Sequence, residues 1–313
     1  MNTSATSTAP SVAPVPSVSP RDLVPGVIGM TLVGSSVTVS RSLVGAPLFA
    51  SQAVRYAAAA LILVALARVA RVPLVRPRGR EWLWLAGIAA TGLVLFNVAV
   101  VRGVAHAEPA VIAVAVACVP ILLGLVGPLL EGRRPSRRVL LAAPVVVAGA
   151  LLVEGTGRTD AAGVGWAALA LACEACFTLL AVPVLGRHGA WGVSVHAVWL
   201  GAVMLAGLTV FTGRPASGSA AFAAWLGSLT AGQWAAVGYL AVLVTAVAFL
   251  LWYRTVAAVG SGRAGLLAGV APLAAAGAGV LGGGGTPGPA VWLGLVVVIA
   301  GLALGLRGGD GRG

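Results

Sequence analysis

The chain repeats itself. A shift of 152 residues lays 81–152 on 233–304 without a gap, so that Trp82 meets Trp234, Arg102 meets Arg254, Pro120 meets Pro272, Pro135 meets Pro287 and Gly149 meets Gly301. The closing strings, VVVAGALL (145–152) and VVIAGLAL (297–304), are nearly the same. A shared content of Ala, Val and Leu does not place prolines, a tryptophan and an arginine at one offset. One structural unit is therefore built twice, and a repeat constrains the architecture before any local signal does.

That unit belongs in a bilayer. Of the 313 residues, 59% are hydrophobic and 9% charged, with a mean hydropathy of +1.02. A soluble domain carries about 25% charged residues, so too few polar side chains remain here to cover a water-facing surface. The net charge of +12 comes from arginine, since the chain has no Lys. Most of these arginines fall in short loops between apolar stretches, a pattern of membrane orientation rather than of a nucleic-acid-binding face. Cys118, Cys173 and Cys176 lie within apolar stretches and indicate no disulfide framework. Residues 1–22 have neither a basic n-region nor a continuous apolar h-region, and are expected to form a disordered cytoplasmic tail, not a signal peptide.

A membrane helix needs roughly 20 mostly apolar residues. Spans are expected near 24–43, 47–67, 82–104, 108–130 and 137–154, then near 163–185, 190–212, 233–255, 263–282 and 289–306. The prediction is an all-α integral membrane protein of ten transmembrane helices, with a first repeat over 23–154, a second over 155–306 and a cytoplasmic tail at 307–313. In the loop 213–232, SAAFAAWLGSL (219–229) is expected to lie as a short helix on the interface through Phe222, Trp225 and Leu226. Arginine is concentrated in alternate loops (Arg68, Arg71, Arg76, Arg78, Arg80, Arg133, Arg134, Arg137, Arg138, Arg187, Arg254, Arg263) against Arg41, Arg102, Arg158 and Arg214 on the other side. The positive-inside rule then puts both termini in the cytoplasm. Five spans per repeat is an odd number, so the second copy enters the membrane inverted. Inverted repeats around a midplane site are the plan of many secondary transporters.

Particular stretches carry a family resemblance. They are Arg55 in AVRYAAAALI, EPAVIAVAVACVPILLGL (108–125) with Pro120, the EGRRPSRR turn with Glu131, and 239–273 with Pro272. Together with five-plus-five spans they resemble EamA-type members of the drug/metabolite transporter superfamily, over about Leu23 to Leu306. The resemblance implies a secondary carrier of a small metabolite, amino acid or drug-like solute, commonly an exporter in the cell membrane, with no nucleotide or metal cofactor. The chain departs from the family at Leu281, Gly282 and Gly283, where a Leu-Gly-Glu turn is common.

Glu174 is the most informative residue. It stands mid-span in ALALACEACFTLLAV (168–182), where a carboxyl group must be protonated, paired or facing water. It is the candidate coupling residue, with the proton as the coupling ion; the bland alternative is a carboxyl hydrogen-bonded for packing. Aligning the two halves puts Val33 opposite it, so only one repeat supplies the acid. His196 and Arg55 are the other transport candidates, since histidine titrates near neutrality and arginine binds carboxylates through a two-pronged fork. Their plain alternatives are a hydrogen-bonded histidine and an arginine snorkelling to the interface. Ser35, Ser36, Thr38, Asn97, Thr178, Thr245 and Tyr253 are candidate cavity-lining residues, as are Pro120 and Pro272, which break backbone hydrogen bonds where helices line a cavity. Cys173-x-x-Cys176 shares a helix face, but a metal site requires further ligands and only His196 offers itself, so cysteine as a small apolar residue is the plainer reading. The expected partners are a small solute, a proton and the lipid bilayer, with no nucleic acid, in a monomer or homodimer. The rival readings are a lipid-modifying membrane enzyme and a non-transporting scaffold or sensor. The enzyme needs an acid cluster or a nucleophile with its base, whereas Asp22, Asp160 and Asp310 are scattered.

Overall fold

The computed structural model describes residues 19–43, 47–155, 157–211, 226–283 and 287–306. The expected tail at 1–18, the tail at 307–313, and Phe222 and Trp225 of the expected interfacial helix lie outside the described residues.

Among the described residues ten long helices follow one another. They are α1 (Pro20–Ser40), α2 (Leu48–Val69), α3 (Glu81–Gly103), α4 (Pro109–Leu130), α5 (Arg137–Glu154), α6 (Ala161–Leu179), α7 (Val182–Phe211), α8 (Ala231–Val259), α9 (Ser261–Leu281) and α10 (Pro289–Leu306). Among the described residues, all but α5 are apolar enough throughout to cross a membrane. The 18 residues of α5 also fit, because Arg137, Arg138 and Glu154 sit at its two ends, where side chains reach water.

The repeat is visible in the backbone. Helices α4 and α9 begin 152 residues apart, and α5 and α10 match at both ends. Each third helix of a repeat widens into a π-helical segment, Ala89–Leu95 in α3 and Leu240–Val247 in α8. Each fourth helix is interrupted just before its proline, α4 at Cys118 and α9 through the tight turn Leu267–Gly269. Proline has no N–H for the carbonyl four residues back and its ring crowds that carbonyl, so the helix must change pitch there. The sixth span is also divided. Helix α6 stops at Leu179, and α7 opens with a short piece containing Pro183, then turns at Gly189 (φ 61°) before running on to Phe211.

The two halves interleave. α1 packs on α8 and α9 of the other repeat, while its counterpart α6 packs on α3 and α4. α2 lies against α7. α5 and α10 pair antiparallel in a reciprocal contact: a side chain on Gly149 would meet Val298, and one on Gly301 would meet Val146. These four residues are two pairs of repeat mates, and their small and branched side chains let the backbones approach closely. The largest buried cluster joins Tyr56, Leu63, Leu85, Ile88, Leu93, Val198, Leu205 and Tyr253 across α2, α3, α7 and α8.

Candidate transport site

Glu174 lies on one face of α6 with Ala170 and Thr178, four residues away on either side. Those two are buried (0% and 1% exposed), yet Glu174 is only half-buried. It is thus less tightly enclosed than its two neighbours on that face. Its carboxyl is within electrostatic reach of the Tyr253 hydroxyl and of Cys173. A carboxyl so placed can hold a proton or the cationic part of a solute.

Arg55, in the third turn of α2, points into the protein. Its Nε donates to Thr245 Oγ1 (2.8 Å), inside the π segment of α8, and its Nη1 donates to Gln52 Oε1 (3.3 Å). The guanidinium also lies over the Tyr56 ring, 5.3 Å from its centre. Thr245 is fully buried and its own hydroxyl reaches the Leu240 carbonyl (2.9 Å), so the residue that orients Arg55 is itself fixed. Asn97 Nδ2 donates to Tyr56 Oη (3.2 Å) and to the Leu93 carbonyl in the π segment of α3 (2.7 Å). In α1, Ser35 Oγ and Tyr239 Oη of α8 are 2.6 Å apart, Ser36 donates to the Val33 carbonyl, and Thr38 lies beside the end of α9 at Gly282. Gln52, Tyr56 and Tyr239 were not among the residues expected from sequence. Gln52 and Tyr56 share a face of α2 with Arg55, which is the signal that could have found them.

Other candidates serve the scaffold. Tyr253 Oη donates to the Phe177 carbonyl and Trp252 Nε1 to Thr178 Oγ1 (2.9 Å each), tying α8 to the broken end of α6. Thr178 and Tyr253 are buried, so they are sealed into this tie and do not line an open space. Pro120 is buried within α4, while Pro272 is half-buried in a stretch, Val270–Leu281, that contains no buried residue. Among the described residues no His, Cys, Asp and Glu group could hold a metal.

His196 does not join Glu174 and Arg55. Its Nδ1 accepts from Trp199 Nε1 (3.1 Å), so Nε2 carries the hydrogen and donates to the Val75 carbonyl (3.1 Å) in the arginine-rich loop. Trp82 and His188 meet the ring edge-on. In the antiparallel α2–α7 pair, Arg55 and His196 lie near opposite ends. His188 instead bonds Glu81 (3.2 Å), which also pairs with Arg187.

At the arginine-rich face the repeat mates α4 and α9 meet. Glu131, at the end of α4, accepts from Ser261 N (2.7 Å) and Ser261 Oγ (2.6 Å), capping the first turn of α9, and also pairs with Arg133. Behind this contact the helices touch through glycines: a side chain on Gly265 would lie 2.7 Å from Leu123 Cβ, and one on Gly262 would be 3.5 Å from Gly124 Cα. At the other face the same two helices diverge. Pro109–Ala117 of α4 packs on α6 and α5, and Val270–Leu281 of α9 packs on α1.

Ten apolar helices in two inverted halves, with isolated polar groups between them, define a membrane transporter. The EamA-like transporter family model matches residues 23–155 and again 161–307, and the chain belongs to that family. It is 25% identical over 254 residues to a Bacillus subtilis (strain 168) protein named "Uncharacterized transporter YetK", covering 79% of this chain and 74% of that one. A solved crystal structure shares the fold, with a TM-score of 0.74 and 19% identity, covering 91% of this chain and 97% of that one.

Proposed function

We propose that this transporter moves a small metabolite, amino acid or drug-like solute by alternating access between α1–α5 and α6–α10. It rests closed toward the arginine-rich face, which the positive-inside rule makes cytoplasmic in the cell membrane. The observation that carries this reading is the one-sidedness of the α4–α9 contact: Glu131 caps α9 at that face, while α4 and α9 diverge at the opposite face. Two repeat-mate helices joined at one face and parted at the other fit one end state of a rocking carrier. Export is the direction the family resemblance favours.

Glu174 is the coupling group in this reading. As a mid-span carboxyl, it binds a proton from one side and releases it to the other, and a membrane potential contributes about 2.3 kcal/mol per charge per 100 mV. The test is solute uptake into proteoliposomes under an imposed pH gradient, with Glu174→Gln beside the native protein. Saturable gradient-driven uptake that Glu174→Gln loses, while retaining exchange without a gradient, supports coupling through Glu174. Equal gradient-driven uptake in both proteins removes Glu174 from the mechanism.

A further inference from the structure

We propose that Arg55 is an anion-binding residue, and that the solute carries a single carboxylate which docks on the free edge of its guanidinium. This deepens the carrier reading and rests on it. Arginine has five N–H donors in a planar fork. Thr245 takes Nε–H and Gln52 takes one hydrogen of Nη1, which leaves the second Nη1 hydrogen and both on Nη2. Those remaining hydrogens make up the end of the fork, the edge that grips two carboxylate oxygens at once.

Three further observations point to an incoming ligand. No carboxylate of the described residues forms an ion pair with Arg55, although a cation inside a membrane protein is costly without a counter-charge. The side chain does not snorkel, because its Nε is pinned to the fully buried Thr245 and lies over Tyr56. Lastly, the orientation is enforced twice over, by Gln52 from the same helix and by Thr245 from the π-helical segment of α8. Such segments recur at functional sites because they turn a side chain off its regular helical direction. A lipid phosphate is a poor match for a group held this way below the helix end. A dianion is also disfavoured, since the guanidinium carries one positive charge and already spends two of its five hydrogens on Thr245 and Gln52. A carboxylate balances it one to one.

The experiment is equilibrium binding to the purified full chain in detergent, read by thermal unfolding and intrinsic tryptophan fluorescence. The probes are acetate, hexanoate and 3-phenylpropionate, each beside its neutral amide, with phenyl phosphate as the dianion. At least one carboxylate is expected to stabilise the protein saturably, with its amide at least tenfold weaker and the phosphate weaker than the carboxylate. Arg55→Lys keeps the charge without the fork and should weaken binding about tenfold. Arg55→Gln should abolish binding, and Thr245→Val, which releases the fork from its anchor, should fall between. Each variant is first shown to elute as a single monodisperse species. Equal binding of acid and amide, no response to any carboxylate, or undiminished binding by well-folded Arg55→Gln would overturn the proposal. Binding requires no movement across a membrane, so a failure here is distinct from a failure of alternating access.

Discussion

The break after Leu179 leaves α6 with a carbonyl in need of a donor. Ala181 N–H turns back to the Thr178 carbonyl, and the Phe177 carbonyl receives the Tyr253 hydroxyl instead. Tyr253→Phe removes that donor inside the membrane, where no water replaces it. The expected cost is about 1–3 kcal/mol, seen as a drop of several degrees in thermal unfolding in detergent. Tyr239→Phe is the informative comparison. It takes a partner from Ser35, but Ser35 keeps its bond to the Leu32 carbonyl (2.8 Å), so the loss should be smaller. Equal drops for the two variants would mean that the tie at the α6 break has no special role. At the same scale, Gly149→Ala would place its Cβ 2.6 Å from Val298 N and 2.8 Å from the Gly294 carbonyl. Backbone cannot step aside as a flexible side chain can, so about 1–3 kcal/mol of overpacking is expected. A melting temperature unchanged from the native protein would show that α5 and α10 separate freely.

At the scale of elements, the loops opposite the arginine-rich face are fastened by charge. The α3–α4 and α5–α6 loops form an isolated β-bridge between Ala107 and Thr159, flanked by Arg158–Glu108 (3.0 Å) and His106–Asp160 (3.1 Å). Arg158 holds the Glu108 carboxyl below its ordinary range, and the Gly163 N–H, followed by His106, does the same for Asp160. A carboxylate depressed in the folded state contributes stability that is present above its unfolded pKa and is lost as pH falls through the folded value. The clamp should therefore hold at neutral pH and loosen only below the ordinary carboxylate range, under about pH 4. Hydrogen exchange of 104–111 and 157–164, corrected for intrinsic rates, should rise there. In Asp160→Ala, which lacks the cap, it should already be raised at pH 7. Protection that is independent of both pH and the variant would contradict this account.

The elements themselves were largely legible in the sequence. Hydropathy and proline act locally, and the offset of 152 residues anticipated the matching ends of α5 and α10. The site was less legible because its bonds join helices far apart in the chain. Nothing local in Arg55 tells that Thr245, 190 residues on, will hold it, or that Val75 will take the hydrogen of His196, 121 residues away. His196 and Arg55 hold similar positions within their spans, but α2 and α7 run in opposite directions, which a position in a span does not reveal. Glu174 was visible because an acid amid apolar residues is conspicuous at any distance.

For the whole molecule, the symmetry of the repeat is broken at the contact that closes one face. The repeat mate of Glu131 is Gly283, and that of Ser261 is Pro109, which has neither an N–H nor a hydroxyl to offer. Both halves of the latch are thus missing at the opposite face, and the two end states are unequal by construction. A hydrogen bond to a charged group contributes about 1.5–3 kcal/mol, and each 1.4 kcal/mol is a factor of ten in population. Removing the two bonds, about 3–6 kcal/mol together, should then favour opening at the arginine-rich face by about a hundred- to ten-thousandfold. Leu123, 1% exposed in the closed seam, is a suitable reporter. In a background with Cys118, Cys173 and Cys176 replaced by alanine, Leu123→Cys should react slowly with a membrane-impermeant thiol reagent applied from the arginine-rich side. Adding Glu131→Ala should speed labelling at least tenfold, and Glu131→Gln less, since an amide oxygen can still accept both bonds. Gly283→Glu alone should do little, because Pro109 gives it nothing to hold; with Pro109→Ser it supplies both members of a second latch, and closure at the opposite face should become more frequent. Unchanged labelling in Glu131→Ala would show that the glycine seam alone sets the resting state, and that the asymmetry of the two turns has no energetic consequence.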